Sequence, residues 1–238
     1  MRKLIPSIIA FIGLLSSPAK AADAYWLDQY NALLYVGTFR LDNELREMSQ
    51  AGTKTLLLHA DALPSLISHF IAWRAKEVAG MDSIAWIQKP NPDNLKYAAR
   101  LNGFKGVQID DHYFNNPLIT LNSLKEMLGE KELWCSFQPR QFRHKIAKSC
   151  NQSDVQMYRI ACKETVDIAW RMGITGNKQI AVAAYDDGSH EGRKLIRCIK
   201  DDLEKIETKI FVFKWKNQES WARQLQHHLE AILKLYKP

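Results

Sequence analysis

Asp110, Asp111 and His112 follow one another directly, with the apolar run Gly106-Val107-Gln108-Ile109 ahead of them and Tyr113-Phe114 behind. Two carboxyls held side by side repel when both are ionised, so one of them keeps its proton toward neutral pH, which is the state a general acid needs. A strand-end Asp-Asp serves equally as a helix cap or a solvated turn, but its company of His112, Tyr113 and Phe114 favours a reactive site. Alternation along the strand puts Gln108 and Asp110 on one face and Val107 and Ile109 on the other. Asp110 is therefore expected to project into a cleft, with Asp111 sharing or orienting its proton.

Other segments offer complementary groups. Tyr185-Asp186-Asp187-Gly188 and His59-Ala60-Asp61 each end an apolar run, so Asp186 or Asp61 could supply the second carboxylate of a two-carboxyl mechanism. The rival reading of the first segment is a turn with a helix cap; His59 could equally be a hydrogen-bonded core histidine. Trp86, Tyr113, Tyr158 and Trp215 all fall at or near strand ends, where flat rings with one polar edge suit sugar rings. His112 extends that surface. Gln108, Gln138, Gln156 and Arg159 are placed to hydrogen-bond hydroxyls or carboxylates of a substrate. A mixed set of His59, Asp61, Asp110, His112, Asp186 and His190 would also suit a divalent ion, but no tight metal motif is present. The expectation is a site with no metal and no cofactor.

These residues need a scaffold that gathers strand ends. Runs rich in β-branched and aromatic residues fall at 32–38, 55–59, 83–88, 105–110, 132–137, 154–158, 179–185 and 209–215. Helical patterns fill the intervals: Leu41 to Met48, Leu63 to Val78, a helix opened by Asn91-Pro92 and stopped at Gly103, then Leu118 to Leu128, Phe142 to Ala147, Glu164 to Met172, Arg193 to Ile206 and Trp221 to Tyr236. Alternating strands and helices imply a parallel sheet. Eight such units predict one compact (β/α)8 TIM barrel with short loops, whose chemistry sits at the C-terminal ends of the strands. An open doubly wound sheet is the competitor, but no glycine-rich phosphate loop follows the first run.

The N-terminus has the features of an export signal: Arg2 and Lys3, an apolar run from Ile8 to Leu15, and the small-residue site Ala19-Lys20-Ala21. This reading makes 1–21 a signal peptide and 22–238 the barrel domain. It also takes away three positive charges (Arg2, Lys3, Lys20), lowering the formal charge from +7 to +4. The remaining lysines and arginines are dispersed, and no nucleic-acid motif is present. No cysteine follows the cleavage site to carry a lipid, and no later apolar stretch is long enough for a membrane helix, so no stable anchor is expected after cleavage. Oligomeric state is not legible. Cys135, Cys150, Cys162 and Cys198 would meet an oxidising periplasmic or secreted environment; their spacing decides among neither the three pairings nor free buried thiols.

The run Gly106-Val107-Gln108-Ile109-Asp110-Asp111-His112-Tyr113 resembles the Gly-Ile-Gln-Phe-Asp-Asp-His-Phe strand of glycosyl hydrolase-like barrel proteins of bacterial envelopes. Val155-Gln156-Met157-Tyr158-Arg159 is similar to a Val-Gln-Val-Tyr-Arg strand in the same group. The order of an apolar seventh strand, a helix and the aromatic run Ile210 to Trp215 also resembles it. The resemblance implies hydrolysis of an envelope polysaccharide containing amino sugars, with Asp110 and Asp111 catalytic. Two alternatives stand beside it: a divalent-metal-dependent barrel hydrolase, and a glycan-binding barrel without catalysis.

Overall fold

The computed structural model describes residues 22–115, 117–158, 160, 162–186 and 208–214. The helices expected over 193–206 and 221–236, and the segment 1–21, lie outside them. Eight parallel strands close into a barrel in chain order: β1 (Ala24–Leu27), β2 (Thr55–His59), β3 (Asp82–Ile87), β4 (Gly106–Ile109), β5 (Glu132–Phe137), β6 (Gln152–Gln156), β7 (Ile180–Asp186) and β8 (Ile210–Lys214). β8 returns to β1 through Ala24↔Phe211, Tyr25↔Val212 and Trp26↔Phe213. The crossovers carry helices α1 (Gln29–Gly37), α2 (Leu41–Gln50), α3 (Ser65–Ala79), α4 (Pro92–Arg100), α5 (His112–Asn115), α6 (Leu121–Leu128), α7 (His144–Ala147) and α8 (Cys162–Arg171). The architecture is a (β/α)8 TIM barrel.

Seven of the eight strands lie within a few residues of where the sequence pattern puts them, but the first does not. The run 32–38 lies in helix α1 up to its C-cap Thr38, because Asp28 accepts hydrogen bonds from the Tyr30 and Asn31 amides and so caps α1, which buries Asn31, Ala32 and Tyr35 on one face. The true first strand is Ala24-Tyr25-Trp26-Leu27. Its four residues are too few for a visible alternation, and they abut the signal-like segment. Asp23 stitches it in place: its N–H donates to the Ile210 carbonyl, its own carbonyl accepts from the Lys54 and Thr55 amides, and its Oδ2 accepts from the Ile210 amide at 3.0 Å.

Alternation along the strands separates two cores. Trp26, Leu57, Ile84, Trp86, Trp134, Ala181, Ala183 and Phe211 pack together inside the barrel, with Trp134 stacked on Phe211 at 5.5 Å between centroids. Val107, Ile109, Cys135, Phe137, Val155 and Val182 face outward into the layer shared with the helices. The inner core mixes large rings with small alanines, as a narrow closed barrel requires. Gly106 is required by close approach: a Cβ there would lie 2.5 Å from the Glu132 carbonyl oxygen, so β4 and β5 could not pair in this register with any larger residue. A disulfide joins Cys135 on β5 to Cys150 just before β6.

Candidate active site

β4 delivers its two carboxyls to the C-terminal mouth of the barrel. The Asp110 amide donates to the Ile87 carbonyl, extending the strand ladder by one residue, and the chain then turns, with Tyr113 and Phe114 amides bonded to the Asp110 and Asp111 carbonyls. Asp110 also caps this turn, since its Oδ1 accepts from the Asp111 amide at 2.9 Å. The cap and the reactive pair are therefore the same residues. Both are buried, at 5 % exposure each, while His112 stands exposed with its Nδ1 3.5 Å from Asp110 Oδ2 and 3.4 Å from Asp111 Oδ1.

Amides hold the pair from two neighbouring strands. Gln156, at the end of β6, donates through Nε2 to Asp110 Oδ1 at 2.9 Å and to Ser136 Oγ at 3.0 Å, and lies 3.5 Å from Asp111 Oδ1. Gln138, just past β5, donates to Asp111 Oδ2. Gln141 donates to the Asp111 carbonyl and to Asn115 Oδ1, closing the loop over the pair. Burial, then the charge of Asp111, pushes the Asp110 carboxyl up to about 7, against the opposing pull of His112 and the Asp111 amide. Asp110 thus holds its proton through mildly acidic conditions.

Beneath the pair lies a carboxyl that the sequence reading does not single out. Asp154 on β6 is fully buried; its Oδ1 accepts from Gln108 Nε2 at 2.7 Å and its Oδ2 from Ser136 Oγ at 2.7 Å. Gln108 in turn accepts from the Trp26 indole N–H at 2.7 Å. Both ends of the Gln108 amide are occupied below the mouth, so the structure puts it in the supporting layer and not on the substrate-facing surface where it was expected. The missed signal was periodic: Gln108 and Asp110, Ser136 and Gln138, and Asp154 and Gln156 are polar pairs two residues apart on three successive strands, all on the inner face. Burial raises the Asp154 carboxyl well above the usual carboxylate range, opposed by Ser136 and Gln108, and the charges of Asp110 and Asp111 push it the same way as burial.

The opposite wall is structural. His59 Nε2 lies 3.1 Å from Asp61 Oδ1, its Nδ1 contacts Gln29 Oε1, and its ring tilts over Trp86 at 4.3 Å. Asp61 also accepts from the Lys89 amide at 2.9 Å, the Gln88 amide at 3.3 Å and Asn94 Nδ2 at 3.3 Å. Burial works against its charge, but His59 and the Lys89 and Gln88 amides hold its carboxyl below the usual range. Asp61, expected from the sequence as a possible second carboxylate, instead spends its oxygens on fixing the β3–α4 loop. Trp86 is buried in the inner core, and Tyr158, half-buried, packs beside that core. Tyr113 does not face the mouth: it is buried on the helix side, its hydroxyl bonded to the Ile119 carbonyl, because the turn after Asp111 swings it outward. Asp186 ends β7, paired by register with Lys214, and its side chain lies outside what is described, as do Asp187, His190, Arg159 and Trp215.

Tyr113 and Phe114 instead line a groove of about 710 Å³ with Leu118, Ile119, Gln141 and Arg143. Gln141 forms the wall between this groove and Asp111. Asp110, Asp111 and His112 place ligand-capable atoms within 4.8 Å of one another. His59 and Asp61, the other described members of the six-residue set, are turned toward each other and the β3–α4 loop, so the set does not converge on one point.

No protein-family profile matches the sequence, and no curated protein matches it. Solved structures do. An active-site mutant of the β-1,3-glucanosyltransferase of Rhizomucor miehei, in complex with laminaritriose, superposes with a TM-score of 0.55 at 11% identity, over 81% of this chain and 86% of that one. The N-terminal domain of a protein assigned as an aldolase from Bacteroides vulgatus gives 0.52 at 10% identity, over 86% and 80%. A tryptophan synthase from M. tuberculosis gives 0.52 at 9%, over 88% and 87%. These neighbours are enzymes of differing chemistry on one barrel, and at such identities the likeness is one of fold.

Proposed function

We propose that this chain is an exported glycoside hydrolase acting on an envelope or extracellular polysaccharide that contains amino sugars. The observation that carries the reading is the buried Asp110–Asp111 pair at the C-terminal mouth, with Asp110 held protonated toward neutrality by burial and by its neighbour. The resemblance of Gly106 to Tyr113 to envelope glycosidase-like strands supports the substrate class, and a carbohydrate-active enzyme stands among the structural neighbours. Export rests on the signal-like features of 1–21.

In this reading Asp110 donates its proton to the glycosidic oxygen as the bond to the anomeric carbon breaks. Asp111, held by Gln138, stands beside it. With Asp61 committed elsewhere, the group opposing the anomeric carbon is either Asp186, from the end of β7, or the N-acetyl oxygen of the substrate oriented by Asp111. The test is to incubate the purified protein with amino-sugar polysaccharides of envelopes and biofilms and to analyse products by mass and anomeric configuration. Inversion, or a covalent glycosyl-enzyme, points to Asp186. Retention without a covalent adduct, and dependence on the N-acetyl group, points to substrate assistance. Binding without turnover replaces the enzyme by a glycan-binding barrel.

A further inference from the structure

One chain of hydrogen bonds beneath the pair has a polarity fixed from its lower end. The Trp26 indole N–H is a donor only, so Gln108 must turn its Oε1 toward Trp26 and its Nε2 toward Asp154 Oδ1. Asp154 Oδ1 is therefore an acceptor, and any proton on this carboxyl must sit on Oδ2, against Ser136 Oγ. While Oδ2 is unprotonated, the Ser136 hydroxyl spends its only hydrogen on it and can offer Gln156 nothing but a lone pair. Gln156 must then present Nε2, which is the atom that also meets Asp110 Oδ1. Asp110 Oδ1 now faces two donors, Gln156 Nε2 and the Asp111 amide, so its proton is confined to Oδ2, the oxygen turned toward His112.

We propose that Asp154 is a positioning residue that, through Ser136 and Gln156, dictates which oxygen of Asp110 carries the proton. The proposal rests on the reading of Asp110 as the acid, because only a proton on Oδ2 is presented to a substrate. Protonating Asp154 on Oδ2 reverses every polarity above it: Ser136 donates to Gln156, the Gln156 amide turns over, and its Oε1 meets Asp110 Oδ1, which must then hold the proton itself. The arrangement in the structure, with Gln156 Nε2 on both Asp110 Oδ1 and Ser136 Oγ, is the one that an unprotonated Asp154 imposes. Among the described residues, the titratable groups facing Asp110 are Asp111, His112 and Asp154, and those facing Asp154 are Asp110 and Asp111.

Asp154→Asn imitates the reversed arrangement permanently, since its oxygen must face Gln108 and its amide must face Ser136. The experiment is the pH titration of Asp110 by carbon NMR of protein labelled at aspartate carboxyls, with Asp110→Asn assigning the signal. The proposal expects the Asp110 midpoint to rise by roughly one pH unit or more in Asp154→Asn. It also expects the midpoint to return toward the wild-type value in Asp154→Asn/Ser136→Ala, where the relay is cut. Loss of a buried negative charge alone would lower the midpoint, so an unchanged or lowered value in Asp154→Asn overturns the proposal. So does a raised value that persists in the double variant. If Asp154→Asn does not fold, the wild-type protein decides: the side-chain amide resonances of Gln156 must move with the Asp110 titration, and an amide insensitive to it overturns the proposal. No substrate is used, so a failed glycan screen with the expected titrations sinks the glycosidase reading and leaves the relay standing.

Discussion

The side-chain amide of Gln156 donates to Asp110 Oδ1 at 2.9 Å, reaching from the end of β6 to the end of β4 with β5 between them. That bond spans two strand spacings and binds the candidate acid to residues 46 positions away in the chain. It makes the reactivity of Asp110 a property of three strands together.

Asp110→Asn removes the acid while keeping the size and the cap geometry. Turnover of a responsive polysaccharide should fall by about 10²- to 10⁴-fold, with the thermal melt retained. Asp111→Asn should cost less if its part is to tune and orient. Full activity in a folded Asp110→Asn protein removes this residue from the mechanism. Activity should also survive a chelator; abolition by chelation and restoration by a divalent ion would favour the metal-dependent alternative.

The Asp110 carboxyl sets the alkaline side of the rate profile. A group that must be protonated, with its titration near 7, should make kcat/KM fall as pH rises through that region. A profile flat from pH 6 to about 9 would contradict an acid of this kind.

The same group biases stability in the opposite sense from most acids. Its folded value lies above its unfolded one, so the folded state binds the proton more tightly. Its contribution is present in full below the unfolded value of 3.8 and is lost as pH rises toward about 7. Urea titrations at successive pH values should show this decline in the wild type and its absence in Asp110→Asn. Asp61 behaves conversely: its lowered carboxyl stabilises above the unfolded value, and that is lost as pH falls through the folded one. Asp61→Ala strips charge-assisted bonds from the β3–α4 loop and should cost roughly 1–3 kcal/mol, read as a lower urea midpoint at neutral pH.

The Cys135–Cys150 disulfide closes a loop with a sequence separation of 15 residues. In the chain-entropy account a loop of this size is worth about 3 kcal/mol. Cys135→Ala/Cys150→Ala should lower the urea midpoint accordingly, and a reductant should have a smaller effect on that variant than on the wild type.

If the protein is exported, processing should follow Ala21 and not Ala24. Cleavage after Ala24, behind the small-residue run Ala22-Asp23-Ala24, would remove Asp23 together with its bonds to Ile210, Lys54 and Thr55, and open the seam where β8 closes on β1. N-terminal sequencing of protein from the envelope fraction checks this; a terminus at Tyr25 on a stable protein would show the stitch to be dispensable.

The sequence by itself determined the alternation of strands and helices, the barrel, and the residues at the mouth of β4, because strand and helix periodicities and the grouping of unlike polar types are local properties of the chain. Asp110, Asp111, Gln138 and Gln156 were legible as site candidates for that reason. What lay beyond it depended on neighbours distant in sequence. Whether 32–38 is strand or helix was settled by which face the closed barrel could bury, with Asn31, Ala32 and Tyr35 turned inward. Asp61 left the list of reactive carboxyls because the Lys89 and Gln88 amides, brought close by β2–β3 pairing, claim its oxygens. Tyr113 left the mouth because the turn after Asp111 carries it to the helix side. Asp154 entered because closure of the barrel placed it, unseen by water, under the pair it serves. Hydrogen-bond partners and burial are set by packing in three dimensions, and they decide which of several similar carboxyls keeps a proton and which is spent on holding a loop.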